Sequence, residues 1–275
     1  MITNENYYSL NNKGLSQSKI KMYDKDPNYM YRACISGELV RPDNKSFMIG
    51  RETDSILTEM DKFQNTIIAP YTDFRSKEAR EWRKEQEAEG KTVVKETEYE
   101  NIMAIAIAVQ ETEVWQDIEK TFTTQEILQV VDKKLGRHFD CLYGKPDAFR
   151  INEDGVCDLC DLKTALKIDE KTFFYKSKDY GYFKQLWMYA MLLKEKYPQI
   201  KSFRYWFVVA EKSEPYRVSL FSIPNDLVDD CEMDMLLTIK EISQRTDYSR
   251  PRIGWDNAIK LTDPRQPDDG WEDVE

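Results

Sequence analysis

The sequence predicts an α/β fold, α+β in its ordering: a central mixed β-sheet of about five strands flanked by helices, behind a mainly helical N-terminal part. Three observations carry this prediction. The first 120 residues read mostly as capped helices. The stretch from Gly144 to Thr164, GKPDAFRINEDGVCDLCDLKT, reads as two strands joined by a turn. A long helix and two further strands follow it. A chain of 275 residues fits one domain. We divide it into a helical part (1–120), a core (121–245) and a C-terminal tail (246–275).

Leu15 to Tyr31 predicts a helix capped by Ser16 or Ser18, with a break near Asp26-Pro27. Ser46 to Phe63 predicts a second helix, with Asp54 close to its apolar face. Asp73 to Gly90 is strongly charged and ends at a glycine, as a solvated helix does. Thr97-Glu98-Tyr99-Glu100 reads as a capping box opening a buried helix to about Gln110, and Glu113 to Lys120 as a short helix. Gln125 to Asp132 reads as the first core strand and His138 to Tyr143 as the next extended stretch, leading into Lys145–Ile151 and Val156–Thr164. A lysine-rich connector then leads to a helix over Tyr180 to Tyr197. Strands over Phe203 to Glu211 and Tyr216 to Ile223 and a helix over Asn225 to Arg245 complete the core. The acidic, proline-containing tail from Thr262 predicts loose order.

Composition narrows the function. Hydrophobic residues make up 41% and charged residues 33%, an ordinary globular balance. No run of eighteen apolar residues exists, so no transmembrane helix and no membrane partner are expected. The N-terminus lacks a basic-then-apolar signal pattern, and a cytoplasmic location is expected. Five scattered cysteines suggest free thiols. Cys157 and Cys160 form a C-x-x-C, but inside a strand positions three apart face opposite sides, so neither zinc nor an iron–sulfur cluster is expected. With His138 as the only histidine, a histidine-based metal site or a Ser-His-Asp triad is excluded in practice. The net charge of −10 argues against non-specific nucleic-acid binding while leaving room for a local basic patch.

The chemistry concentrates in the hairpin. Asp161 and Lys163 share one strand face, about 6–7 Å apart along it, while Leu162 points the other way. If the hairpin sets Asp147 beside Asp161, two carboxylates and an ammonium meet, and a cation between the carboxylates would relieve their repulsion. Oxygen ligands suit Mg²⁺ or Mn²⁺ rather than zinc. On their own, D-x-K also fits a solvated, salt-bridged strand end, and P-D a turn. Gln185 and Tyr189 lie four apart and share a helix face. Ser18 and Lys19, at a helix start, have the chemistry to hold a phosphate, although a plain cap explains the serine equally well.

With Asp147 and Asp161-Leu162-Lys163 as P-D…D-L-K, the chain resembles the PD-(D/E)XK nuclease superfamily, whose core is restriction-endonuclease-like. Gln185 and Tyr189 resemble the Q-x-x-x-Y motif of its RecB-like branch. LSQSKI, F-x-x-G-x-x-x-D from Phe47 to Asp54, TDFRSKEAREW, GKTVVKETEYENIMAIA, QLWMYA and FVVAEKSEPYRVSLFSI extend the resemblance to phage and prophage RecE-like, exonuclease VIII-type enzymes over most of the chain. Asp54 stands where that family usually carries a histidine, and a carboxylate there remains a hard oxygen donor.

The resemblance implies a Mg²⁺- or Mn²⁺-dependent exonuclease acting 5′→3′ on linear duplex DNA in phage-type recombination. Asp54, Asp147, Asp161 and the Leu162 carbonyl would hold metal, and Lys163 would position water and steady the transition state. Gln185 and Tyr189 would orient the site or touch the DNA backbone, Glu126 would match a recurrent acidic position on the first strand, and Ser18 and Lys19 would meet DNA. It further implies duplex ends as partners, a ring-shaped homo-oligomer, a single-strand annealing protein, and a nuclease domain without the family's large N-terminal region. The alternatives are an endonuclease or flap nuclease on the same core, and a degenerate fold kept as a DNA-binding or interaction module.

Overall fold

Residues Val156–Ala165 form a strand whose side chains are buried on both faces nearly throughout, the pattern of a central strand with layers packed on either side. The computed structural model describes residues 1–39 and 45–249. In chain order these form β1 (Gly14–Leu15), α1 (Gln17–Lys25), α2 (Pro27–Cys34), α3 (Lys45–Thr58), α4 (Met60–Phe63), β2 (Thr66–Ile68), α5 (Lys77–Ala88), β3 (Thr92–Val94), α6 (Glu96–Gln110), α7 (Glu113–Thr121), β4 (Thr123–Thr124), β5 (Leu128–Val131), β6 (Cys141–Gly144), β7 (Ala148–Ile151), β8 (Val156–Ala165), α8 (Glu170–Tyr180), α9 (Tyr182–Lys196), β9 (Ser202–Glu211), β10 (Val218–Ile223), α10 (Asn225–Asp229) and α11 (Glu232–Gln244). No helix among the described residues is long and apolar enough to cross a membrane.

The main sheet is mixed and five-stranded, in the order β10-β9-β8-β7-β4. Only β8 and β9 run parallel, pairing Val156 with Ser202 through Ala165 with Glu211. Helices cover both faces. Cys157, Leu159 and Ala165 on β8 join a core with Leu186, Met188 and Leu193 of α9 and residues of α1, α2 and α11. Cys160 and Leu162 face the other core, with Ile49 and Ile56 of α3 and Ile102, Ile105 and Val109 of α6. The alternation of β8 therefore feeds two hydrophobic layers, and the predicted α/β class with a central mixed sheet is the fold adopted.

Several boundaries differ from expectation. The expected strand Lys145–Ile151 shortens to β7, and the strand before it belongs to a different sheet. β6 ends at Gly144 and pairs with β1 and β5, while β7 begins at Ala148 and pairs with β8. Pro146 lies between them, where its missing N–H cannot serve a ladder. The expected strand Gln125–Asp132 shrinks to β5, because Gln125 adopts a left-handed φ of 52°, and β5 lies in the small sheet rather than beside β8. The helix expected over Ser46–Phe63 breaks at Glu59 into α3 and α4.

The lysine-rich connector is largely helix α8. Its N-cap is Asp169, which accepts from the Thr172 N–H at 2.9 Å, and it ends at Gly181, whose φ of 69° only glycine adopts without strain. The helix expected from Tyr180 thus starts at Tyr182. The capping box sits two residues earlier than expected, with Glu98 accepting from the Lys95 N–H at 3.0 Å. The Asn225–Arg245 helix is two, α10 and α11. A short parallel ribbon, β2 with β3, carries no sequence signal beyond three apolar or β-branched residues per strand. The tail from Thr262 lies outside the described residues.

Candidate active site

The β7–β8 hairpin sets the register of the site. The turn is held by Asn152, whose side chain accepts from the Val156 N–H at 2.8 Å, and Ala148 pairs with Cys160. One step further out, Asp147 lies beside Asp161, and its Oδ2 accepts from the Leu162 N–H at 2.7 Å. Its Oδ1 accepts from Gln125 Nε2 at 3.2 Å. Asp161 is 1% exposed, and neither of its carboxylate oxygens has a hydrogen-bond partner of good geometry. Its counter-charge is the Lys163 ammonium, which makes a close ion pair with Oδ2.

Helix α3 brings the third carboxylate. Gly50 lets it approach β8: a Cβ there would stand 3.0 Å from Thr164 Oγ1. One turn on, Asp54 accepts from the Thr58 hydroxyl at 3.3 Å. Burial, then Asp161 and Glu59, push Asp54 up to about 6, against the pull of Lys145 and Lys163. Burial, then Asp54 and Asp161, push Asp147 well above the usual carboxylate range. Burial raises Asp161 too, and Lys163 only partly offsets it. Burial works against the Lys163 ammonium, but Asp161 and Asp147 outweigh it and hold its pKa above the ordinary lysine value. Lys163 is therefore a fixed cation at neutral pH rather than a base.

From Lys163 a chain of contacts runs into α9. Its Nζ donates to Gln185 Oε1 at 3.1 Å, and Gln185 Nε2 donates to Tyr189 Oη at 2.8 Å. The Tyr189 ring in turn packs on Gly144, where a Cβ would come within 2.7 Å of it. The Lys163 ammonium also sits 4.7 Å from the centroid of the Tyr182 ring.

The structure thus brings together Asp54, Asp147, Asp161, Lys163, Gln185 and Tyr189. Leu162 contributes its N–H to Asp147, and its backbone pairs with Val208 of β9. Three expected residues have other partners. Glu126 precedes β5, and its carboxylate accepts from the Tyr197 hydroxyl at 2.9 Å and pairs closely with Lys196. Lys19 is 1% exposed and donates to the Asn12 carbonyl at 2.7 Å, the Asn12 side chain at 2.8 Å and the Gly14 carbonyl at 2.8 Å. It ties down the N-terminal loop and is not presented to a polyanion. Ser18 is exposed, with its hydroxyl 3.3 Å from that of Ser16. Cys157 and Cys160 are buried in different cores, and burial pushes the Cys157 thiol up to about 12; they form no ligand pair.

Five rim residues went unsingled in the sequence. Lys145, 4% exposed, donates to Glu59 Oε2 at 2.8 Å. Glu59 also binds Lys62 at 2.6 Å and the Tyr8 hydroxyl at 3.4 Å, and Tyr7 stands edge-on to Tyr8 at 4.9 Å. The lysine of GKPD was the visible clue. Nothing in MITNENYY marks its tyrosines.

The donor set is three carboxylates with a backbone carbonyl beside them, the chemistry of a hard divalent cation. One lysine against three carboxylates and the raised pKa values of Asp54 and Asp147 mark a cluster short of positive charge, so the residues fit such an ion. Their present side-chain positions do not close around one: among the described residues no three carboxylate, thiol or imidazole groups surround a single ion position.

On the opposite face of β8, Asp158 is 3% exposed and fully engaged. It accepts from Arg204 Nε and Nη2, both at 2.7 Å, from Trp206 Nε1 at 3.2 Å and from Arg150 Nη2 at 3.4 Å. Burial alone would raise its pKa, but these donors hold it below the usual range. They line a cleft of about 430 Å³ between the sheet and α7.

Residues 16–247 match the model of a PDDEXK-like domain of unknown function, DUF3799. The chain belongs to this family. None of the curated proteins matches it in sequence. Among solved structures, a candidate exonuclease from Eubacterium rectale overlays with a TM-score of 0.59 at 13% identity, covering 88% of this chain and 86% of its own. At that identity the match speaks for the fold alone. A phage-related exonuclease from Haemophilus somnus covers 84% of this chain and 94% of its own at 14% identity, with a TM-score of 0.33, too loose an overlay to carry an argument.

Proposed function

We propose that this protein is a divalent-metal-dependent deoxyribonuclease that degrades linear duplex DNA from its ends. The observation that carries the reading is the frustrated cluster on β8: Asp161, buried with Lys163 as its one counter-charge, beside Asp147 and Asp54. So much uncompensated negative charge is costly to bury unless a cation joins it. Asp54, Asp147, Asp161 and the Leu162 carbonyl would hold Mg²⁺ or Mn²⁺. When bound, the ion lowers the pKa of a coordinated water and neutralises charge on the scissile phosphate.

The chain's own residues do the rest. Lys163, kept charged by its aspartates, donates to the attacking water or to a phosphate oxygen as negative charge builds there. Gln185 takes one Lys163 proton in a hydrogen bond and is itself fixed by Tyr189, so the ammonium is aimed rather than free to swing. Direction 5′→3′, a ring assembly and an annealing partner in recombination belong to the same reading and rest on the sequence resemblance.

Incubation with Mg²⁺ or Mn²⁺ should shorten end-labelled linear duplex and leave covalently closed circular duplex intact. Cutting of the closed circle would transfer the reading to an endonuclease. Absence of hydrolysis of any DNA form with either metal would leave the fold as a binding module.

A further inference from the structure

The residues above leave one group at the mouth of the site without a role. Tyr8 is 55% exposed although it stands among buried machinery. Its edge-on neighbour Tyr7 is half-buried and packs in turn on Tyr143 of β6 at 5.2 Å. Two ammonium groups lie over the Tyr8 ring, Lys62 at 4.7 Å and Lys145 at 5.1 Å from the centroid. Both lysines are held by Glu59, which also meets the Tyr8 hydroxyl. Lys145 is two residues from Asp147, and Glu59 follows the helix that carries Asp54. The loop bearing Tyr8 is fixed from behind by Lys19, whose ammonium takes the carbonyls of Asn12 and Gly14.

An exposed aromatic ring, held from behind and placed beside cations at a phosphate-processing site, is how proteins grip single nucleotides. The ring stacks on a base of any identity, and the cations follow the backbone. Here two lysines stand within reach of one ring. We propose that Tyr8 is the stacking platform for the nucleobase next to the scissile phosphate, with Lys62 contacting the adjoining phosphate and Glu59 and Lys145 positioning residues that hold the platform. The assignment rests on the nuclease reading above and adds where the reacting strand is gripped.

The test compares Tyr8→Ala, Tyr8→Phe and Tyr8→Trp in the full chain. The substrates are a 5′-phosphorylated linear duplex and the same duplex with abasic residues at its two terminal positions. Tyr8→Ala should raise KM for the intact duplex about tenfold, the worth of one stacked base, with kcat changed less than about threefold, whereas Phe and Trp keep KM near wild type. Abasic ends should raise KM for the wild type and add nothing further in Tyr8→Ala. Equal losses in Phe and Ala would assign the effect to the hydroxyl on Glu59 and overturn stacking, as would abasic and Ala effects that multiply.

Fluorescence anisotropy of a fluorescein-labelled oligonucleotide in Ca²⁺ supplies a second readout without hydrolysis. Weaker binding by Tyr8→Ala but not by Tyr8→Trp sustains the platform even if no metal supports cleavage. Equal binding by all three variants refutes it even if cleavage is robust.

Discussion

Two aspartates stand three residues apart on β8, both nearly inaccessible to water, and the protein treats them in opposite ways. Asp158 receives four donated hydrogen bonds from two arginines and a tryptophan. Asp161, on the other face, has one lysine in a close ion pair, two neighbouring carboxylates, and no hydrogen bond of good geometry. The strand alternation that separates the two faces is the same for both; what differs is what β7, β9 and the helices bring. Cross-strand partners at 150 and 204 are arginines on one face, whereas residues 147 and 54 add carboxylates on the other. A buried charge satisfied from within makes structure, and one left unsatisfied makes a site that needs something from outside.

The contrast is sharpest in activity. Under the nuclease reading, Asp161→Asn removes a metal ligand and should lower DNA hydrolysis by about a hundred- to a thousandfold. Asp158→Asn, equally buried on the same strand, should stay within about threefold of wild type once folded. Comparable losses from the two would erase the distinction between the faces.

Stability should move the other way. Asp158→Asn leaves two guanidinium groups without their carboxylate and should cost about 2 kcal/mol, short of a fully buried pair because Arg204 stays half in water. Asp54→Asn relieves repulsion and burial of charge, and in chelator at pH 7.5 should stabilise by about 2 kcal/mol. Urea titrations of the two variants read these changes, and a loss in Asp54→Asn would contradict the frustrated-cluster account.

The smallest effect is in the pH profile without metal. The folded-state pKa of Asp158 is depressed, so its contribution is present above the unfolded value near ~3.9 and fades as pH falls below it. Asp54 is raised to about 6, so its contribution is present below ~3.9 and fades as pH rises from there to about 6. Urea midpoints between pH 3 and 8 should therefore lose a descending limb from pH 4 to 6 in Asp54→Asn, and an ascending limb below pH 4 in Asp158→Asn.

These contrasts were partly legible in the sequence. Period-two alternation alone places Asp161 and Lys163 on one face, and a hairpin with a clear turn sets Asp147 beside them. Four-residue spacing puts Gln185 and Tyr189 in line. Of the partners of Asp158, Arg150 follows from the same hairpin register and went unread, whereas Arg204 reaches it across the β8–β9 pairing, which the sequence leaves open. Glu126 was misplaced because the left-handed Gln125, a local conformation that glutamine rarely adopts, delays the start of the strand to Leu128. Lys19 reads as an exposed cation beside a helix start; only the fold shows that it is buried, with backbone carbonyls as partners. The Lys145–Glu59 pair joins residues 86 apart, beyond any local pattern.

The seam at Gly144–Asp147 carries a last consequence. The small sheet ends at Gly144, Tyr189 rests on that glycine, and Asp147 follows within three residues at the start of the large sheet. From Tyr189, contacts pass through Gln185 to Lys163. A residue with no side chain thus borders both arms of the chemistry, the acidic one through the backbone and the basic one through a ring. Under the nuclease reading, a methyl group at Gly144 would press within 2.7 Å of the Tyr189 ring and disturb the site without a single charge being changed.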